Sequence, residues 1–179
     1  MVQVLVDNML NRLTGHPGRM CRLPSQMPLD DLDVRLLRLL DENPRIGVLE
    51  LSRLAGVARA TVTSRMQRWE QAGIVRSYGP HLDLSAAGFP VQALATLEIA
   101  QGRLAEITEF LEALPGVIEA YATTGTGDVV CRLAAASNAH LQQLLVELNE
   151  SEAIRRSTSV VILSTLVASR AIPLLAGGH

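Results

Sequence analysis

The stretch from residue 48 to residue 69 constrains the fold more than any other part of the chain. Its apolar residues fall on one face of each of two short helices, and Gly56 lies between the helices. A tight turn at that point suits glycine, which adopts a left-handed backbone without steric cost. Val62, Met66 and Trp69 follow at helical spacing, so the second helix packs this face on the first. The pattern predicts a helix-turn-helix with Trp69 in its core.

The residues on either side predict a three-helix domain. The predicted elements are helices over residues 29–42, 47–54 and 58–72 and a short strand over residues 74–78. Asp30 or Asp31 can cap the first helix, which ends before Pro44. Gly73 closes the third helix. With the strand, the domain is expected to be winged-helix-like.

From residue 89 onward, the pattern alternates between strands and helices. The predicted elements are strands over residues 91–99, 117–124, 129–135 and 157–168 and helices over residues 104–114 and 139–148. The order βαββαβ predicts a ferredoxin-like domain, and hence an α+β protein with two domains. The predicted division is an N-terminal extension (residues 1–28), the helix-turn-helix domain (29–80), a linker (81–89), the βαββαβ domain (90–170) and a C-terminal tail (171–179). The extension is expected to be mobile, to precede a true start at Met20 or Met27, or to pack on a partner subunit.

Composition excludes several classes of protein. Apolar residues make up 48% of the 179 residues and charged residues 19%, which is enough apolar material for a folded core. No apolar run is long enough for a membrane helix, so we expect a cytoplasmic protein. The two cysteines and four widely separated histidines form no metal-ligand or catalytic spacing. We therefore expect no metal, no cofactor and no catalytic residues.

Charge is distributed unevenly along the chain. All sixteen basic residues are arginines. Residues 58–79 contain four of them against a single glutamate, whereas residues 81–179 contain five arginines against ten acids. A local basic segment on an otherwise acidic chain indicates one surface for a polyanion such as DNA.

The basic segment supplies the candidate DNA contacts. Hydroxyl, amide and guanidinium groups on the outer face of the third helix can bond base edges in a major groove or hold phosphates. The candidates are Arg59, Ala60, Thr61, Thr63, Ser64, Arg65, Gln67, Arg68 and Arg76. Arg65 falls at the edge of the apolar face, and a threonine hydroxyl can instead bond back to its own helix. A plain polar surface on a three-helix core is the alternative.

The same residues resemble the leucine-responsive and asparagine-synthesis regulators, the Lrp/AsnC or feast/famine family. The matching motifs are Leu29-Asp30 with Asp33, Glu50-Leu51-Ser52, Gly56-Val57-Ala58, Arg65 through Trp69-Glu70, and Gly73-Ile74-Val75 with Tyr78. The resemblance spans about residues 29–170. It implies a transcription regulator that binds double-stranded DNA and forms dimers, which assemble into tetramers, octamers or larger oligomers.

The resemblance also implies an amino-acid effector, bound between dimers near the turn that joins the two middle strands. The residues concerned are Thr124, Gly125, Thr126, Gly127 and Asp128. Glycines permit close backbone approach, and a carboxylate can receive an ammonium group. A plain hairpin turn is the alternative. The chain departs from the family at Ala58, where a capping serine is usual, and at Val129, which leaves the effector's identity open.

Two other functions compete with effector-controlled DNA binding. An amino-acid sensor that regulates a protein partner would use the helical domain without DNA. An enzyme built on the same βαββαβ topology would need acid–base or metal groups, and residues 90–170 offer little beyond His140 and Cys131. The sequence favours the DNA-binding regulator, with no membrane partner.

Overall fold

The computed structural model of the chain describes residues 27–176. Its helices are α1 (Asp31–Glu42), α2 (Val48–Ala55), α3 (Arg59–Gln71), α4 (Leu104–Ala113), α5 (Asn138–Glu150) and α6 (Ile172–Ala176), and its strands are β1 (Val91–Ile99), β2 (Val117–Ala122), β3 (Val129–Ala135) and β4 (Ile154–Val161). Within the described range, two compact units form: residues 27–81 with 167–176, and residues 82–166. The predicted extension lies outside the described residues except for its last two positions.

Helices α1 to α3 form the helix-turn-helix unit. Asp30 caps α1 through a capping box. Its side chain accepts from the Asp33 N–H, and the Asp33 side chain accepts from the Asp30 N–H. Gly56 ends α2 at a φ of 66°, the left-handed conformation that the sequence predicts there. Leu36, Leu51, Val62 and Trp69 are fully buried at the centre of this unit.

The C-terminal residues belong to this unit as well. The sequence predicts a tail over residues 171–179, whereas residues 172–176 form α6, which packs against α1. Ile172 and Leu175 pack on the same core as Leu36 and Trp69. The tail prediction is therefore wrong for α6, since two apolar side chains one helical turn apart bury themselves on the helix-turn-helix core.

Residues 82–166 form the ferredoxin-like unit. Its four-stranded antiparallel sheet has the order β2-β3-β1-β4. One face of the sheet packs against α4 and α5, and side chains such as Leu97, Ile107, Leu133 and Leu148 form a single core between them. The predicted α+β class and βαββαβ order are confirmed.

The other face of the sheet is not covered by a helix of this unit. Strand alternation and the register of Thr96 with Val130 and Thr158 place every second residue of each strand on this face. Several apolar side chains there are substantially exposed: Leu94 (38%), Tyr121 (57%) and Val160 (60%). We call this surface the open face.

Two predicted strands differ clearly from the structure, and a third, predicted over residues 117–124, ends two residues early at Ala122. Residues 74–78 form no strand, because a strand needs a partner and none pairs with them in the described chain. The last strand is predicted over residues 157–168 but runs from Ile154 to Val161. It begins earlier because Ile154 pairs with Ile99, and it stops where pairing with β1 ends. The apolar residues beyond it, including Leu163 and Leu166, are almost fully exposed.

Candidate nucleic-acid interface and ligand site

The predicted DNA contacts lie on or next to α3. Val62 and Trp69 are buried, and the opposite side of the helix carries the exposed residues Ala60, Ser64 and Gln67. We call these three residues the outer stripe. Ala58 provides no side-chain cap, so N–H groups of the first turn remain without a side-chain acceptor.

The threonines and the remaining arginines are arranged less uniformly. The Thr63 hydroxyl donates to the Arg59 carbonyl at 3.1 Å, the back-bonding that sequence reasoning kept as an alternative. Thr61 is half-buried. Arg59 and Arg76 are exposed, and neither forms an ion pair with any residue of the described chain.

A buried carboxylate on α1 organises the inner side of α3. Asp33 is 0% exposed. Its Oδ1 accepts from the Trp69 indole N–H at 3.0 Å and pairs with the Arg65 guanidinium at 2.8 Å. Its Oδ2 accepts from Arg68 at 2.7 Å and from the Asp30 N–H at 3.0 Å. The four lone-pair directions of this carboxylate are thus all used.

These contacts of Asp33 involve two of the predicted DNA contacts, Arg65 and Arg68. The sequence places Arg68 on the DNA-facing side and Arg65 at the edge of the core. In the structure Arg65 is 22% and Arg68 44% exposed, and both guanidinium groups pair with Asp33. Arg65 also donates to Asp30. The physical reason is that a buried carboxylate requires compensating charge, and these two arginines are the nearest cations.

Sequence reasoning missed the role of Asp33. One signal was present, since Asp33 occupies the apolar face of α1, three residues before Leu36 and four before Leu37. A charged residue at a core position is rarely buried without a partner. The indole N–H of Trp69 needs an acceptor for the same reason.

The predicted effector loop joins β2 to β3. Thr123 closes it, with the hydroxyl donating to the Gly127 carbonyl at 2.9 Å. Gly127 is buried against β1, and a Cβ there would lie 2.3 Å from Thr96 Cγ2. Gly125 has a φ of 150°. Both glycines are therefore required by the loop itself.

Asp128 has a structural partner. Its Oδ2 accepts from the Ile99 N–H at 2.8 Å, at the point where the pairing of β1 and β4 shifts register. Its own N–H donates to the Leu97 carbonyl at 2.9 Å. Asp128 thus ties the loop to β1, and one of its two carboxylate oxygens is engaged there.

A small cavity lies beside the loop on the open face. It has a volume of about 220 Å³ and is lined by Thr96, Glu98, Thr126, Arg156 and Thr158. A carboxylate oxygen of Glu98 lies 3.9 Å from a guanidinium nitrogen of Arg156. Of the five predicted loop residues, Thr126 is the one that reaches this cavity.

The residues considered for an enzyme have structural positions. Burial raises the pKa of the Cys131 thiol to about 11, which makes it a poor nucleophile. His140 Nδ1 accepts from the Ala136 N–H at 3.2 Å, near the start of α5. Over residues 27–176, no group of three or more histidine, cysteine or acidic side chains is placed to hold a metal ion. No helix of this range has the length and apolarity to cross a membrane.

Two family models match the chain. The AsnC-type helix-turn-helix domain matches residues 29–70, and the Lrp/AsnC ligand binding domain matches residues 92–172. The first range lies within the helix-turn-helix unit. The second covers most of the ferredoxin-like unit and extends six residues beyond it.

Individual members of this family are similar to the chain in sequence and in structure. The regulator Ptr1 of Methanocaldococcus jannaschii is 33% identical over 103 residues, which cover 58% of this chain and 70% of Ptr1. The regulator FL11 of Pyrococcus horikoshii is 22% identical over 149 residues, covering 83% of this chain and 99% of FL11. The structure of E. coli AsnC superposes with a TM-score of 0.75 at 24% identity, covering 82% of this chain and all of AsnC. Both relatives are named as HTH-type transcriptional regulators.

Proposed function

Because the chain belongs to the Lrp/AsnC family of DNA-binding transcription regulators, we propose that it recognises specific DNA sequences under the control of an amino acid. The effector binds the ferredoxin-like unit and changes how copies of the chain assemble. The observation that carries this proposal is the pairing of Glu98 with Arg156 in the cavity beside the effector loop. The regulator relatives also favour this reading over an enzyme.

DNA binding is assigned to α3 and its surroundings. The outer stripe offers the Ser64 hydroxyl and the Gln67 amide, and an amide can bond adenine through two hydrogen bonds. Arg59 and Arg76 supply exposed positive charge for phosphates. The uncapped first turn of α3 adds N–H donors and the positive end of the helix dipole.

The cavity has the polarity that a free amino acid needs. Glu98 can pair with an ammonium group, and Arg156 can pair with a carboxylate. Hydroxyl groups of Thr96, Thr126 and Thr158 surround this pair and can complete the hydrogen bonding. A structural neighbour of 23% identity and TM-score 0.74, the regulator NMB0573 of Neisseria meningitidis, is described as a complex with L-Met, which supports an amino acid as the ligand class.

The position of the cavity connects the ligand with assembly. Leu94, Tyr121 and Val160 leave apolar surface on the same open face. We propose that two copies cover this surface by packing their open faces together, and that dimers build larger oligomers. A ligand held at one end of the face then favours whichever assembly binds it more tightly.

Calorimetric titration of each of the twenty amino acids tests the ligand site. At least one amino acid should bind, and Arg156→Gln should weaken its binding tenfold or more, because the carboxylate loses its charged partner. Arg155→Gln is the matched control, since Arg155 is the adjacent exposed arginine of β4 and does not line the cavity. Equal affinity of wild type and Arg156→Gln would overturn the assignment of the cavity.

A further inference from the structure

Building on the proposed sequence-specific DNA binding, we infer that Asp30 and Asp33 are positioning residues for the recognition helix. They hold Arg65 and Arg68 on the inner side of α3, so Ser64 and Gln67 of the outer stripe discriminate between base pairs. Arg65 and Arg68 orient the helix and do not read bases.

The contacts of Asp33 carry the first part of the inference. Asp33 is fully buried, and both arginines lie within 2.8 Å of its oxygens. Releasing either arginine towards DNA would leave part of a buried negative charge uncompensated, which is costly in a protein interior. Arg65 is the more confined of the two, since its side chain is 22% exposed against 44% for Arg68.

Asp30 adds a second carboxylate to Arg65. The same guanidinium nitrogen contacts both Asp30 and Asp33. The hydrogen bond to Arg65 lowers the pKa of Asp30 below its usual value, and the same contact raises the pKa of Arg65. Both groups therefore stay charged and paired at neutral pH.

The charge that remains for DNA is smaller than the sequence suggests. The carboxylates of Asp30 and Asp33 neutralise two of the four arginines in residues 58–79. Arg59 and Arg76 are the two that keep exposed guanidinium groups without a described ion pair. Non-specific attraction is reduced, and recognition depends more on the short polar side chains of the outer stripe.

Asp30→Asn tests the arginine positioning without unfolding the chain. Asparagine caps a helix as well as aspartate does, and its Oδ1 can still accept from the Asp33 N–H. Its amide group carries no charge to hold Arg65. Asp31→Asn is the matched control, because it removes the same charge from an exposed neighbour that pairs with neither Arg65 nor Arg68.

We expect Asp30→Asn to bind a random duplex several-fold more tightly than Asp31→Asn does. The slope of log K against log salt should steepen by up to about one unit, which corresponds to about one added phosphate contact. Asp30→Asn should also elute from heparin at a higher salt concentration than Asp31→Asn. Equal salt slopes and equal heparin elution for the two variants would overturn the inference.

Selection from a randomised duplex library tests the second part. Gln67→Ala should lose preference at one base-pair position by about 5- to 100-fold, while Arg65→Gln should keep the preferences of the wild type at every position. Loss of a guanine preference in Arg65→Gln would overturn the assignment. If the unmodified chain binds no duplex but Asp30→Asn still elutes later from heparin than Asp31→Asn, then the DNA-binding proposal fails and the arginine positioning stands.

Discussion

The carboxylate of Asp33 on α1 and the indole of Trp69 on α3 are joined by a 3.0 Å hydrogen bond between two fully buried side chains. Trp69 is the single tryptophan of the chain, so its fluorescence reports on this unit alone. The bond fixes α3 against α1, so unfolding of this pair of helices should change the Trp69 emission.

Removing the Asp33 carboxylate should destabilise the helix-turn-helix unit strongly. Asp33→Ala leaves the Trp69 N–H without an acceptor and Arg65 without its buried partner. The expected loss of unfolding free energy is about 3 kcal/mol. Urea denaturation followed by Trp69 fluorescence measures it. Asp31→Ala, on the exposed side of α1, should cost less than about 1 kcal/mol. Similar losses for both variants would show that the hydrogen bonds and ion pairs of Asp33 add no more stability than an exposed aspartate does.

Stability should depend on pH through Asp30. Arg65 lowers the pKa of this carboxyl below its usual 3.8 in the folded state. A depressed folded-state pKa gives stability that is present above the unfolded pKa and is lost as pH falls through the folded pKa. The stability difference between wild type and Asp30→Asn should therefore be constant above about pH 5 and shrink below about pH 4.

A urea midpoint series from neutral to acid pH checks this dependence. Repeating the series in an Arg65→Gln background serves as the control, because the depressed pKa of Asp30 needs its guanidinium partner. The ion pair of Asp30 with Arg65 would be contradicted if the stability difference between wild type and Asp30→Asn stayed constant down to the most acid point. It would also be contradicted if the pH dependence of that difference were the same without Arg65.

Helix α6 should stabilise the helix-turn-helix unit. Leu175 packs on its core, whereas Leu174 of the same helix is 80% exposed. Leu175→Ala should lower the free energy of unfolding by about 1–2 kcal/mol. This is less than most fully buried leucines lose, because Leu175 is only half-buried. Leu174→Ala should stay within about 0.5 kcal/mol of wild type. Thermal unfolding followed by Trp69 fluorescence distinguishes the two, and equal midpoints would show that α6 does not hold this core.

The loop between β2 and β3 should be sensitive to a single methyl group. Gly127→Ala places a Cβ 2.3 Å from the Thr96 methyl and 3.3 Å from the Leu97 carbonyl oxygen. Overpacking of this kind costs about 1–3 kcal/mol. Thr96→Ser removes the opposing methyl, so the double variant should recover much of the loss in calorimetric unfolding. No rescue by Thr96→Ser would show that the clash lies elsewhere in the loop.

The sequence predicts the elements that depend on local pattern. The spacing of Val62, Met66 and Trp69 and the left-handed turn at Gly56 identify the helix-turn-helix, and the alternating second half identifies the βαββαβ order. These features follow from side-chain periodicity and backbone preference, which act over a few residues.

The features that depend on tertiary partners do not follow from local pattern. The apolar residues after Val161 look like a continuing strand, yet pairing with β1 stops there. Arg68 lies on the outer side of a helical wheel and remains exposed, yet its guanidinium group bonds a carboxylate 35 positions earlier. Neither outcome can be read from local spacing, because each depends on a residue that is distant in the sequence.

Control of sequence-specific DNA binding by an amino acid is what distinguishes the proposed regulator from a plain DNA-binding protein. This control is measured by fluorescence anisotropy with a duplex from upstream of the chain's own coding sequence, compared with a random duplex. Each titration is run at two salt concentrations, with and without a mixture of the twenty amino acids. We predict tighter binding to the upstream duplex, an affinity that falls steeply with salt, and a shift of the curve on adding the mixture. Equal affinity for both duplexes, unchanged by the mixture, would show that the chain is not an effector-controlled, sequence-specific regulator.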